Sequence, residues 1–233
     1  IASALFVKNR LKFSSQLKPN SIAFFNSNDL YPVSSDSTLP FAQHRDIFYL
    51  SGIDQEESVL FLFPDCKDER HREILFLRET NEHIAVWEGA KLTKETAMKL
   101  SGIETIYWLD DLPKILEELM KQCENVYLNT NEHSRAKVLT ETREDRFIKN
   151  ILVTYPNHNE EKSNPILQQI RSVKEPEEIE LIQKACNITE KGFRRVLDFV
   201  RPGVWEYEIE AEWIHEFIKN RSKGFAYTPI VAS

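Results

Sequence analysis

An α/β fold, with a mixed or mostly parallel β-sheet flanked by helices, is the class this sequence predicts for most of its length. Three observations predict it. Continuous apolar runs at 59–63 and 74–77 read as strands buried on both faces, the habit of a sheet covered by helices, and further short strands are read at 21–25 and 126–128. Helical periodicity falls between them, at 92–100 and 111–122. Clusters of Pro, Gly, Asn, Ser and Asp punctuate the alternation, which is the pattern of helices layered on a sheet.

Taken in order, residues 5–17 predict an amphipathic helix ended by Lys18-Pro19-Asn20, because proline has no N–H to continue the helical ladder. A strand over 21–25 follows, then a loop over 26–40. Ile47-Phe48-Tyr49-Leu50 predicts a short apolar strand stopped at Ser51-Gly52. Strands over 59–63 and 74–77, a helix over 92–100 and a strand over 103–108 come next. Asp110 is placed to cap a helix over 111–122 that carries Leu112, Ile115, Leu116 and Leu119 on one face. Residues 154–165 hold two prolines and three asparagines, a linker composition, so the expected domains are 1–164 and 165–233.

Beyond that boundary Pro176 occupies a first-turn position, and Glu177 and Glu178 stand at the positive end of the helix dipole. Ile179, Ile182, Cys186, Thr189, Phe193, Val196, Leu197 and Val200 recur at steps of three and four, giving one apolar face to a helix of about six turns. The corner Arg201-Pro202-Gly203 leads to a second such pattern over 206–220, through Ile209, Trp213, Ile214, Phe217 and Ile218. Residues 225–233 predict an apolar strand. A lone strand leaves backbone groups unpaired, so the chain is expected to break off inside a larger fold.

Composition narrows the function. A net charge of -7 argues against nucleic acid or an anionic membrane as partner, since both need a concentrated positive surface. No run approaches the roughly 18 apolar residues of a membrane helix. The start Ile1-Ala2-Ser3 lacks the order of a secretory signal, so a cytoplasmic location and a trimmed N-terminus are expected. Cys66, Cys123 and Cys186 are too far apart in sequence for a metal knuckle or redox pair, and the six histidines show no His-x-x-x-His spacing. The glutamates from Glu175 to Glu180 suit a solvated helix start better than a metal site.

Five strings carry a resemblance. They are Asp36-Ser37-x-x-Pro40-Phe41-x-Gln43-x-x-Asp46-x-Phe48-Tyr49-Leu50-Ser51-Gly52, Val86-Trp87-Glu88-Gly89, Arg171-Ser172-Val173-Lys174-Glu175-Pro176-Glu177-Glu178-Ile179, Arg201-Pro202-Gly203-x-x-Glu206 and Tyr227-Thr228-Pro229-Ile230-Val231-Ala232-Ser233. In this order they make the chain similar to Xaa-Pro aminopeptidases, of the creatinase, prolidase and methionine aminopeptidase superfamily. Many members have Gly where this chain has Ala232. Most of the first string reads as architecture: Phe48 and Tyr49 fill the core, Asp46 satisfies nearby backbone donors, and His44 is a hydrogen-bonded residue rather than a catalyst.

The resemblance implies an N-terminal domain of the creatinase/prolidase type over 1–164, then the first helices and strand of a truncated "pita-bread" α+β metallopeptidase domain over 165–233. It implies two divalent metal ions, usually manganese, on two Asp, two Glu and one His that all lie downstream of Ser233, so no metal ligand or catalytic residue is expected here and the fragment alone is expected to be inactive. Two hard cations would generate a bridging hydroxide and polarise the carbonyl of the bond before proline. The implied partners are a peptide with proline in second position and further copies of the chain, as a dimer or tetramer. Two candidate substrate-binding residues follow by resemblance. Tyr227 matches a pocket aromatic, its alternative being a core strand tyrosine. Trp87 matches a tryptophan that reaches a neighbouring subunit's active-site mouth, its alternative being a locally packed sheet-edge residue. Two rivals stand beside the enzyme: a non-catalytic peptide-binding module on the same scaffold, and an independent α/β scaffold domain.

Overall fold

The computed structural model describes residues 3–133, 135 and 138–232. In chain order the elements are α1 (Ser3–Ser14), β1 (Ser21–Asn26), β2 (Pro32–Ser34), β3 (Ser37–Thr38), α2 (Arg45–Ser51), β4 (Val59–Leu62), β5 (Glu73–Leu77), α3 (Glu82–Glu88), α4 (Lys94–Ser101), β6 (Thr105–Trp108), α5 (Leu112–Met120), β7 (Asn125–Leu128), α6 (Arg143–Thr154), β8 (Asn159–Lys162), α7 (Asn164–Ser172), α8 (Pro176–Phe199) and α9 (Glu206–Lys219). They divide into two compact units, Ile1–Val173 and Lys174–Ser233.

The first unit is built on a six-stranded mixed sheet in the order β6-β5-β4-β1-β7-β8. β1 runs antiparallel to β4 and parallel to β7, and β5 runs parallel to β6. Successive side chains of a strand point to opposite faces. Ala23 and Phe25 therefore join Phe13, Leu50, Leu60, Leu75 and Leu167 on one face, while Ile22 and Phe24 join Phe61, Phe76, Leu116, Leu119 and Ile151 on the other. Both faces are covered, which is why β4 is apolar at every position and β1 is apolar from Ile22 to Phe25.

Several expectations are corrected. Ile47-Phe48-Tyr49-Leu50 is the middle of helix α2 and not a strand. His44 Nδ1 accepts the Asp46 N–H at 3.3 Å at its start, and Gly52, at φ 71°, donates its N–H to Phe48 O at 2.7 Å at its end. A Cβ on Gly52 would lie 2.3 Å from the Phe6 ring. The loop at 26–40 contains the small hairpin of β2 and β3. Asp110 does not cap α5: it lies in a 3-10 turn, Leu109–Asp111, and Pro113 supplies the helix start. The stretch expected to be a linker holds β8, which pairs with β7, and leads into α7, which covers the sheet through Leu167 and Ile170. The compact unit therefore continues to Val173.

The first helix departs from a simple amphipathic reading. Arg10 is 0% exposed and the adjacent Leu11 is 62% exposed. Arg10 Nη1 donates to Leu50 O at 2.8 Å and Ser101 O at 3.0 Å, and Nε donates to Glu73 Oε2 at 2.9 Å. One guanidinium thus meets the carbonyl ends of α2 and α4, where the helix dipole favours a cation.

The second unit is a helical pair. Glu178 accepts the Glu175 N–H at 2.8 Å, as expected for an acidic helix start. Gly192 lets α8 approach Trp213 of α9 so closely that a Cβ would sit 2.4 Å from the indole ring. Phe193, Trp213, Phe217 and Phe225 continue the contact edge to face. Ile179, Ile182, Leu197, Val200 and Ile218 are exposed. The expected strand over 225–233 does not form among the described residues, because no described strand pairs with it; Ser233 lies outside them.

Candidate functional site

Trp87 belongs to the first unit. It lies on α3, which opens with Asn81 Oδ1 accepting the Ile84 N–H at 2.9 Å and buries none of its residues. Trp87 is 79% exposed and its neighbour Val86 76%. The indole is therefore neither packed locally nor on a sheet edge. Tyr227 belongs to the second unit and is also 79% exposed, two residues after Phe225, whose ring meets Phe217 at 5.0 Å. Among the described residues it lies at a bend and in no strand.

Apart from Trp87, the first unit holds a polar network that the sequence did not reveal. Asp46 Oδ1 accepts from Arg171 Nη1 at 2.6 Å, and Asp46 Oδ2 from Asn129 Nδ2 at 3.0 Å. The Arg171 guanidinium also lies over the Tyr49 ring, 5.3 Å from its centre. Asp46 thus serves distant side chains and not the backbone donors expected. Two of the motif strings meet in this pair, across 125 residues of chain. Their shared presence in those strings was the signal; nothing in their spacing gave the contact.

Next to it, Glu144 is buried at the first turn of α6. Its Oε2 accepts the Asn26 N–H at 2.9 Å and its Oε1 accepts Asn26 Nδ2 at 3.1 Å. Burial pushes the carboxyl up to about 8, against the pull of the Asn26 donors. Burial pushes the His44 imidazole down, and the Cys123 thiol up to about 12, which keeps that thiol unreactive. With both oxygens engaged by Asn26, Glu144 fastens α6 to the end of β1. Among the described residues no group of three or more His, Cys, Asp or Glu side chains could hold a metal ion.

Two family profiles match the chain: aminopeptidase P, N-terminal domain, over residues 6–127, and metallopeptidase family M24, over residues 180–233. The chain belongs to the aminopeptidase P family. Among curated relatives, the Xaa-Pro aminopeptidase of Escherichia coli is 27% identical over 98% of this chain and 52% of its own length. That of Haemophilus influenzae is 27% identical over 97% of this chain and 50% of its own. The chain thus spans about half the length of these aminopeptidase P relatives. Among solved structures, zinc-substituted aminopeptidase P of Escherichia coli in complex with product matches with TM-score 0.80 and 25% identity, covering 94% of this chain and 50% of that one. Aminopeptidase PepP of Pseudomonas aeruginosa, with TM-score 0.82 and 24% identity over 96% of this chain and 50% of that one, shares the fold. The mixed sheet with flanking helices is the N-terminal fold of aminopeptidase P. No described helix is long and apolar enough to cross a membrane.

Proposed function

We propose that the whole protein to which this chain belongs is a metal-dependent aminopeptidase that releases the N-terminal residue from peptides with proline second. The observation that carries the reading is the order of the two matched profiles on one chain, an aminopeptidase P N-terminal domain followed by the start of an M24 metallopeptidase. The relatives matched over nearly all of this chain are named Xaa-Pro aminopeptidases. The second unit is read as the beginning of the pita-bread domain. The described residues offer no ligand set for two cations, so the reading assigns the metals, manganese by resemblance, to other residues of the protein. A cytoplasmic homo-oligomer, without nucleic-acid or membrane partners, completes the proposal.

Within this chain the reading gives substrate contact to Tyr227 and Trp87. Both are exposed aromatics, and an aromatic face suits the apolar, donor-free ring of proline. The test is hydrolysis of an Ala-Pro peptide by the whole protein loaded with manganese, against an Ala-Ala control. Release of alanine from the proline peptide, lost on adding a chelator, is the expected result. Turnover by residues 1–233 alone, or none by the whole protein with metal, would sink it.

A further inference from the structure

The helix that carries Trp87 poses a physical problem: it is short, and nothing apolar in it is buried. Only Ile84 and Ala85 are even half-covered. Seven residues do not hold a helix in water on propensity alone, so the segment needs an external anchor.

That anchor is ionic. Arg78, the residue after β5, meets Glu88 in a two-pronged contact, Nη1 to Oε2 at 2.7 Å and Nη2 to Oε1 at 3.1 Å. Its Nε lies 3.3 Å from Glu57 Oε2. Lys91 lies 3.8 Å from the same Glu88 carboxylate and also pairs with Glu56. Glu56 and Lys91 are largely covered, so this end of the frame is shielded from solvent. Two cations and three carboxylates therefore join the loop before β4, the end of β5 and the end of α3. A single exposed ion pair contributes little, but a bidentate arginine within a partly covered network is the geometry in which such pairs do contribute.

We propose that Arg78 is a positioning residue: with Lys91 it clamps Glu88 and so fixes the helix that presents Val86 and Trp87. The consequence for substrate rests on the reading of Trp87 given above; the clamp itself does not. The clamp acts through Glu88, next to Trp87 in sequence, so holding that one side chain fixes the stretch of helix from which the indole leaves.

The test is amide hydrogen exchange of residues 82–88 in this chain, with β5 as internal reference. Arg78→Met is expected to speed exchange of 82–88 about five- to tenfold and leave β5 unchanged, and 0.5 M salt is expected to shift the unaltered chain the same way. Glu88→Gln should speed exchange of 82–88 to a similar extent, and the two changes together should add little more, a non-additivity that a merely structural loss at Arg78 would not give. Unchanged exchange in Arg78→Met, or equal acceleration across β5, would overturn the clamp. In the whole protein, Arg78→Met and Trp87→Ala should both raise KM for an Ala-Pro peptide. A Trp87→Ala variant with normal KM would remove the substrate role of Trp87 while the exchange data still decide the clamp.

Discussion

Replacing Arg10 with alanine should be among the most damaging single changes to the first unit. The side chain is fully buried, and burial pushes its pKa down, so the fold already bears a desolvation penalty that its partners offset. Alanine removes the donors at Leu50 O and Ser101 O, leaving two carbonyls at helix ends without a partner at about 1–3 kcal/mol each. Glu73, whose side chain is 31% exposed, recovers some solvation and softens the loss. The expected destabilisation is about 3–5 kcal/mol, the usual range for breaking a buried pair, and a large share of the roughly 5–15 kcal/mol that holds a domain. The assay is a urea titration followed through exchange protection of the β4 amides, which report on the first unit alone. Lysine at this position keeps the charge but cannot span three acceptors, so it should fall between alanine and the unaltered chain. A loss below about 1 kcal/mol for alanine would refute the view that Arg10 holds the ends of α2 and α4.

Three further outcomes are expected. Gly192→Ala forces a methyl into the Trp213 ring, and overpacking of about 1–3 kcal/mol outweighs the ~1 kcal/mol gained in helix propensity, so thermal melting of the second unit by near-UV circular dichroism should fall. Glu144, with a folded pKa near 8 against an ordinary 4.5, binds its proton more tightly folded than unfolded. Its contribution is thus fully present below pH 4.5 and lost as pH rises through 8, so the urea midpoint should be higher at pH 5 than at pH 9, and Glu144→Gln should flatten that slope. A double-mutant cycle on Asp46→Ala and Arg171→Ala should return a coupling of about 1–2 kcal/mol in urea unfolding; a coupling near zero would reduce the pair to a surface contact.

The central strands were legible because burial on both faces forces continuous apolar runs, and the long helices because their periodicity is extended and their starts carry Pro176 and paired acids. Ile47 to Leu50 was not, since four apolar residues in a row fit a buried strand or a buried turn of helix equally, and the cap at His44 and the left-handed Gly52 decide between them. Arg10 was illegible because a charged residue normally marks the wet face of a helix, and only the carbonyl ends of two distant helices make its burial favourable. The polar strand Asn159–Lys162 has no apolar signal and forms because β7 offers it a ladder. Of the candidate site, the exposed aromatics could be picked out by resemblance, whereas Asp46 with Arg171, and Asn26 with Glu144, meet across more than a hundred residues.

The strand Asn159–Lys162 also bears on how the molecule is made. β7 is buried at every position, yet until residue 162 has left the ribosome its outer flank has nothing to pair with. A chain ending at Pro156 would display a greasy, unpaired border ready to zip onto a neighbouring chain. Arrival of Glu160 and Glu161 caps that border with charge, so the final few residues of the sheet act as its insulation, and any shortened version of the first unit should keep them.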